Sequence, residues 1–383
     1  MQPQTDQPLV AAASSPQTEG VSWAARMADS MLRRNPVGRM RWRYEDGFLL
    51  TAIERLWRQT GAPAYWQAVT EYVDRFVGPD GAISSYRLAE FNLDQVMPGR
   101  LLFATYRASG AEKYRRAIEL LREQLRQQPR THAGGFWHKL IYPYQMWLDG
   151  IYMGCAFYAE YAATFDEPVV FDDVAHQILT VAQHTADPAT GLLYHAWDES
   201  RQQRWADPDT GRSPHFWGRA VGWYVMAIVD VLDFLPADHP QRPTIVAILE
   251  RTLAALLTVQ HHPTGLWYQV LDQGRRPGNY LEASCACMFV YAMAKGVRQG
   301  HLPRRWLDVA RRSYHHILEH FVQADPLGET NLHWTCGVAG LGGDPYRDGS
   351  YQYYVTERVV TNDSKGVAAF ILAAGEMEGV GGR

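Results

Sequence analysis

Apolar positions along the chain recur with the spacing of an α-helix and not with the alternation of a β-strand. In residues 47–58, apolar side chains occupy positions 48, 49, 52, 53, 56 and 57, which fall on one helical face. The same pattern predicts twelve helices, at residues 23–32, 47–58, 64–76, 100–106, 114–125, 151–165, 174–185, 218–235, 245–259, 283–297, 306–321 and 365–374. Strand patterns are weak throughout, so an all-α fold is predicted.

A loose internal repeat suggests how these helices are arranged. Gly47, Gly99 and Gly150 open predicted helices at intervals of 52 and 51 residues. The stretch Thr190-Gly191-Leu192-Leu193-Tyr194 has a close counterpart 74 residues later, at positions 264–268. Twelve helices in six hairpins favour six inner and six outer helices closed into an (α/α)6 barrel, a six-hairpin toroid with a pocket at one end. An open solenoid is the alternative, but it would repeat more regularly.

The ends of the chain and its cysteines bear on domains and location. Residues 1–21, rich in Gln, Ser, Ala and Pro and without a basic leader, are predicted to be a flexible tail, and residues 22–383 a single catalytic domain. The apolar stretch 221–235 contains Asp230 and Asp233 and is too short to cross a bilayer. Four cysteines are too few for a disulfide framework, so a reducing, cytoplasmic location is expected.

Composition narrows the range of partners. The 37 Lys and Arg residues against 41 Asp and Glu residues give a net charge of −4, which argues against nucleic-acid binding. The chain has 21 Tyr and 13 Trp but only 13 Phe, an excess of rings that carry a polar group. Such rings can line a sugar-binding pocket or fill the core of a helical domain, and the count alone leaves both interpretations open.

Asp149 lies in the densest cluster of chemically capable residues, at positions 134–153. It follows Pro143 and precedes a predicted helix, so it is expected near a helix N-terminus, beside Trp147 and Tyr152. Burial favours the protonated acid while the helix terminus favours the anion, so a proton donor requires burial or a nearby carboxylate to dominate. An ordinary helix-capping aspartate is the alternative.

Asp94 occupies the equivalent place one hairpin earlier, 55 residues before Asp149. The toroid would bring both carboxyl groups to the same end, where one could stay ionised and the other be held protonated. The alternatives for Asp94 are a helix cap and an ion pair with Arg100.

Arg219 supplies the opposite charge. Its guanidinium could bind a carboxylate with two hydrogen bonds, and Trp223, four residues later on the same helical face, could offer its ring for stacking with a sugar. An acidic sugar would satisfy both side chains, whereas a structural Arg–Trp pair is the alternative. His195 and Lys139 add donors in loops predicted to face the same end.

The sequence contains no complete metal-binding or nucleophile motif. Cys285 and Cys287 lie two apart in a predicted helix and are interpreted as packing residues. His316 and His320 lack the glutamate of a His-Glu-x-x-His motif, so they are interpreted as surface or packing residues. No nucleophile elbow, phosphate loop or dinucleotide motif occurs, so acid–base catalysis without a metal or cofactor is expected.

Five motifs resemble a known enzyme family. They are Trp42-Arg43-Tyr44-Glu45-Asp46-Gly47, the stretch 139–150 ending in Gln145-Met146-Trp147-Leu148-Asp149-Gly150, Trp217-Gly218-Arg219 with Gly222-Trp223, Gly349-Ser350-Tyr351-Gln352-Tyr353-Tyr354, and Asn362-Asp363-Ser364-Lys365-Gly366. Their order over residues 22–375 is similar to that in the unsaturated rhamnogalacturonyl hydrolases of glycoside hydrolase family 105. The resemblance implies an (α/α)6 barrel that removes the unsaturated galacturonic acid from the non-reducing end of oligosaccharides made by a rhamnogalacturonan lyase.

The resemblance also implies a role for individual residues. Asp149 would be the proton donor and Asp94 the second carboxylate, with protonation at C4 and addition of water at C5 of the unsaturated ring. The implied substrate-binding residues are Tyr44, His138, Lys139, Trp147, His195, Arg219 and Trp223.

Other functions stay open at this point. They are an unsaturated glucuronyl hydrolase acting on glycosaminoglycan fragments, an inverting hydrolase of saturated glycosides, and a non-catalytic carbohydrate-binding toroid. The expected partner is an acidic oligosaccharide, without nucleic acid or membrane, and the expected state is a monomer or weak homo-oligomer.

Overall fold

The computed structural model describes residues 22–381, and each of the twelve predicted helices is present. The helices are α1 (Trp23–Arg34), α2 (Tyr44–Thr60), α3 (Pro63–Phe76), α4 (Arg100–Ser109), α5 (Glu112–Gln127), α6 (Leu148–Gly150), α7 (Ala156–Phe165), α8 (Val169–Thr185), α9 (Gly218–Val231), α10 (Arg242–Thr258), α11 (Ala283–Arg298), α12 (Arg305–Phe321), α13 (Tyr351–Thr356) and α14 (Ser364–Gly381). A π-helical stretch, Ile151–Cys155, joins α6 to α7, so the helix predicted at residues 151–165 consists of two segments and is preceded by α6.

The helices close into a ring. Helix α2 contacts α4, α4 contacts α7, α7 contacts α9, α9 contacts α11, α11 contacts α14, and α14 returns to α2. Each of these inner helices packs against one outer helix: α1, α3, α5, α8, α10 or α12. The predicted (α/α)6 toroid is therefore confirmed, and the open solenoid is excluded because the ring is complete.

Burial separates the two sets of helices. Every residue of the inner helix α9 is buried. The outer helix α12 buries only a stripe with helical spacing, namely Trp306, Leu307, Ala310, Ser313, Ile317 and Phe321. Each outer helix carries the chain back to the end of the toroid at which the inner helices begin. All six inner helices therefore begin at the same end, and the loops that precede them lie there.

Within residues 22–381, three two-stranded antiparallel ribbons connect these loops. They are β1 (Gln145–Trp147) with β2 (Ala196–Asp198), β3 (Val322–Ala324) with β4 (Thr330–Leu332), and β5 (Thr335–Cys336) with β6 (Val359–Val360). Strands of two or three residues are too short to show alternation in the sequence, which is why none was predicted.

A buried ion network ties the inner ring together. Asp230 on α9 accepts hydrogen bonds from Lys295 Nζ (2.6 Å), Arg100 Nη2 (2.7 Å) and Tyr291 Oη (2.7 Å). Burial opposes the charge on Asp230, but Lys295 and Arg100 outweigh it and hold the pKa of this carboxyl far below its usual range. Arg100 is therefore committed to Asp230, which rules out the ion pair with Asp94 considered from the sequence.

Three further predictions concern the cysteines, a membrane-spanning helix and the N-terminal tail. All four cysteines are buried and unpaired, as the packing interpretation predicts. Within residues 22–381, no helix combines the length and apolar character that crossing a bilayer requires. The tail predicted at residues 1–21 lies outside the described residues, so the domain boundaries stay a prediction.

Candidate active site

Asp149 is placed by the change from strand to helix at Trp147. Strand β1 ends there, α6 begins at Leu148, and Asp149 is the second residue of the helix, as predicted. In the β1–β2 ribbon Trp147 pairs with Ala196, and the Leu148 amide donates to the carbonyl oxygen of His195 (3.1 Å). The ribbon thus brings His195 Nε2 within 3.3 Å of Asp149 Oδ2.

This pair has unused hydrogen-bonding capacity. His195 is fully buried, and its Nδ1 lies 2.8 Å from Tyr354 Oη. Neither His195 Nε2 nor Asp149 Oδ2 makes a hydrogen bond to any described residue, although both atoms are buried. Because buried polar atoms are normally bonded, these two are suited to receive a ligand.

Asp94 lies in a different electrostatic setting. It follows Leu93 in a short 3₁₀ turn before α4, and its Oδ2 is 2.5 Å from Lys139 Nζ. Burial alone would raise the pKa of Asp94, but the Lys139 ammonium outweighs this effect and lowers the pKa below its usual range. Asp94 is therefore an ionised partner of Lys139 at neutral pH.

His138 lies between the two carboxylates. Its Nε2 is 3.4 Å from Asp94 Oδ1, and the charges of both Asp94 and Asp149 act on the ring. Burial dominates and lowers the pKa of His138 to about 4, so the ring is neutral at pH 7 and does not form an ion pair there. The positive charge opposite Asp94 therefore comes from Lys139.

Arg219 is held at the start of α9, but Trp223 does not lie under it. The guanidinium lies 4.8 Å from the centroid of Trp217, and its Nη1 donates to the carbonyl oxygen of Cys336. A side chain in the first helical turn points back toward the helix N-terminus, so Arg219 reaches the residue before the helix. Arg219 stacks on Trp217 and does not form the structural pair with Trp223 that was the alternative from the sequence.

Trp223 instead builds the wall behind the site. It is almost completely buried and packs edge-on against Phe48 (4.7 Å between centroids) and tilted against Tyr152 (4.8 Å). Tyr44, the first residue of α2, lies edge-on to Trp223 at 6.3 Å. Burial raises the pKa of Tyr44 well above its usual value, so its hydroxyl stays protonated at neutral pH.

Trp147 occupies the opposite side of the site. It is 5% exposed and lies between the rings of Tyr142 (4.8 Å) and His138 (4.7 Å) in one stack. Its edge contacts His195 at 5.4 Å. In this arrangement the indole mainly orients the two histidines, and little of its surface remains for a sugar.

Sequence reasoning did not assign roles to Lys365 or Tyr354. Lys365, in the first turn of α14, is buried and lies 2.9 Å from Asp363 Oδ1. Burial lowers the pKa of Lys365, and the nearby charge of Arg219 lowers it further. Two buried cations therefore face one region of the site, and the only signal for this was the motif at positions 362–366.

Potential metal ligands do not converge here. Among residues 22–381, three ligand side chains come together only on α12, at His316, Glu319 and His320. At the candidate active site, each carboxylate meets histidine or lysine in a pairwise contact.

The family model of Glycosyl Hydrolase Family 88 matches residues 23–380. The chain belongs to this family. It is also similar to a solved glycoside hydrolase of family 105 from C. acetobutylicum ATCC 824, with 44% identity and a TM-score of 0.91, over 94% of this chain and 100% of that one. The resemblance to family 105 seen in the motifs is thereby confirmed.

Two curated relatives extend the comparison. Protein Atu3128 of Agrobacterium fabrum is 41% identical over 232 residues, which cover 58% of this chain and 97% of that protein. Unsaturated rhamnogalacturonyl hydrolase YesR of Bacillus subtilis is 26% identical over 258 residues, covering 66% of this chain and 70% of that protein. Membership of the family identifies the chain as a glycoside hydrolase and disfavours the non-catalytic toroid.

Proposed function

We propose that this glycoside hydrolase removes the unsaturated (4-deoxy-4,5-ene) galacturonic acid from the non-reducing end of oligosaccharides made by a rhamnogalacturonan lyase. The observation that carries the proposal is the contrast between two carboxyl groups at one end of the ring. Asp94 is an anion paired with Lys139, while Asp149 keeps an oxygen without a hydrogen bond beside His195. The likeness to YesR supports the choice of substrate.

The alkene suits this pair of carboxyl groups. In an unsaturated uronic acid the C4=C5 bond is conjugated with the ring oxygen, so a proton added at C4 leaves positive charge shared by C5 and that oxygen. Asp149, in its acid form, would transfer the proton from its unbonded oxygen. The anion of Asp94 would stabilise the developing positive charge across the site.

Hydration then completes the reaction. Water adds to C5 and loses a proton to the Asp149 carboxylate, which regenerates the acid. The resulting hemiketal breaks its bond between C5 and the ring oxygen, forming a ketone at C5 and a hemiacetal at C1. The hemiacetal expels the neighbouring sugar as an alcohol and becomes an aldehyde, so the anomeric carbon is never attacked directly.

The buried cations have a role in binding. Arg219 has two Nη groups engaged by backbone carbonyls of Cys336 and Gly337, whereas its buried Nε makes no hydrogen bond to a described residue. Lys365 lies close enough for the two charges to act on each other. A substrate carboxylate placed here would relieve the repulsion between them.

The test is turnover of a lyase-generated disaccharide followed by loss of near-UV absorbance of the alkene. The reaction is run in deuterium oxide, and deuterium at C4 of the product is the expected result. The matched control is the same disaccharide with a saturated galacturonic acid, which should not be cleaved. Cleavage of both substrates, or product without deuterium at C4, would contradict the proposal.

A second substrate distinguishes the proposed function from that of an unsaturated glucuronyl hydrolase. A sulfated glycosaminoglycan disaccharide with an unsaturated glucuronic acid should be hydrolysed more slowly than the rhamnose-linked disaccharide. The reverse order of kcat/KM would assign the chain to glucuronyl substrates.

A further inference from the structure

The last turn and a half of the outer helix α12 carries a cluster of nitrogen and oxygen ligands that the hydrolase site does not use. His316, Glu319 and His320 are spaced i, i+3 and i+4, so their side chains share one helical face. One ligand atom from each lies within 4.8 Å of the others. In the His-Glu-x-x-His motif the glutamate directly follows the first histidine, whereas here it lies three residues later, which is why the sequence alone indicates surface or packing residues.

The hydrogen bonds around these side chains leave the right atoms available. His320 Nδ1 lies 3.0 Å from the carbonyl oxygen of His316, and a carbonyl can only accept, so Nδ1 carries the proton. The lone pair of His320 is therefore on Nε2. A histidine tied to a backbone carbonyl through its other nitrogen is the usual arrangement at metal centres.

The spacing of the ligand atoms is also close to what a metal requires. His316 Nδ1 lies 3.1 Å from Glu319 Oε2. Two ligands bound tetrahedrally to one Zn²⁺ at about 2.0–2.1 Å lie roughly 3.3 Å apart. The third ligand atom, on His320, lies within 4.8 Å of the other two.

We propose that His316, Glu319 and His320 bind one divalent transition-metal ion, with Zn²⁺ as the representative ion. Two imidazoles and one carboxylate are a borderline set of ligands that favours Zn²⁺, Cu²⁺ or Ni²⁺ over Mg²⁺ or Ca²⁺. Glu319 is 47% exposed, so the fourth position faces solvent and is filled by water.

Neighbouring cations are engaged elsewhere. Arg312, one turn before His316, donates to Gln260 Oε1 at 2.6 Å, and Arg311 lies 3.7 Å from Asp308. His315 contacts Glu319 through the other carboxylate oxygen, with His315 Nε2 3.0 Å from Oε1. His315 therefore lies beside the site without belonging to it, which makes it a matched control.

The proposal is tested by titrating the chelator-treated full-length protein with ZnCl₂ and measuring the heat of binding by calorimetry. We expect one site that His316→Ala and His320→Ala each weaken by at least about tenfold, while His315→Ala binds like the wild type. Equal binding by wild type, His316→Ala and His320→Ala would overturn the proposal, and so would equal loss in His315→Ala.

Substitution with Co²⁺ supplies a second readout. Tetrahedral Co²⁺ bound to nitrogen and oxygen ligands absorbs visible light, so wild type should show these bands and Glu319→Gln should lose most of their intensity. Glu319 is exposed on the surface of α12, so this variant should fold, and thermal unfolding without metal verifies that it does. Unchanged Co²⁺ bands in a folded Glu319→Gln protein would contradict the assignment.

Discussion

The imidazole of His138 lies face to face with the indole of Trp147, with 4.7 Å between the ring centroids and 10° between the planes. The His138 amide donates to the carbonyl oxygen of Gln145, and the His138 carbonyl accepts from the Leu93 amide. His138 is thus fixed to the segment of Asp94 through its backbone and to the segment of Asp149 through its ring. The stacked pair sets the relative position of the two carboxylates.

Gly150 has no side chain, and this leaves room for the stacked rings of His138 and Trp147. A Cβ atom at Gly150 would lie 2.9 Å from His138 Nδ1, so Gly150→Ala should push the imidazole away from its place and lower kcat by up to about 10²-fold. Gly154→Ala, one turn later, places its Cβ 3.4 Å from Leu93 and leaves His138 untouched, so it should retain activity. Steady-state kinetics of both variants provide the measurement, and equal kcat values would refute the role of Gly150.

Removal of the acid should stop turnover. Asp149→Asn cannot donate a carboxylic proton, so kcat should fall by about 10²–10⁴-fold while the thermal midpoint stays near that of the wild type. The control is Asp308→Asn, which changes an exposed aspartate on α12. Alkene absorbance measures the rates, and a rate for Asp149→Asn close to that of the control would exclude Asp149 as the proton donor.

Lys139 should control the acidic side of the pH profile. The ammonium of Lys139 keeps the pKa of Asp94 below its usual range against the effect of burial, so Lys139→Met should raise the pKa of Asp94. If activity needs ionised Asp94, the acidic limb of kcat/KM will move to higher pH. Lys113→Met, which alters a surface pair with Asp74, is the control. An acidic limb at the wild-type pH in Lys139→Met would show that Asp94 does not govern it.

The buried network should matter to stability more than surface pairs do. Lys295 is 1% exposed and bonds both Asp230 and Asp233, so Lys295→Met removes one of the two cations bonded to the buried Asp230 and leaves Arg100 as the other. The free energy of unfolding should fall by about 3–5 kcal/mol in urea titrations. Lys113→Met should change it by less than about 1 kcal/mol. A loss in Lys295→Met no larger than in Lys113→Met would be inconsistent with this view.

Helical spacing and an internal repeat were sufficient to predict the fold. The positions of the twelve predicted helices follow from apolar periodicity, and their pairing into six hairpins follows from the repeat. Asp94 and Asp149 could also be placed at one end of the ring, since both precede inner helices. Local sequence determines where a helix begins, and the ring topology then determines which beginnings meet.

Contacts between distant segments could not be predicted in the same way. The spacing of Arg219 and Trp223 left a structural pair between them open, but helix geometry directs Arg219 to Trp217 instead. Arg100 meets Asp230, 130 residues away, and not the nearby Asp94. Such pairings depend on side-chain direction and on short ribbons, neither of which leaves a periodic trace in the sequence.

The return of α14 to α2 has a consequence for biosynthesis. The last described helix of the chain completes the inner ring and also packs against α1, the first one. A ribosome must therefore have synthesised every helix from α1 to α14 before the seam can form, and until then α2 and α11 lack the neighbour that covers them. Contacts between such distant segments form late and slowly. A stop codon ahead of α14 would leave an open arc of helices with apolar flanks, a substrate for chaperones and not an enzyme.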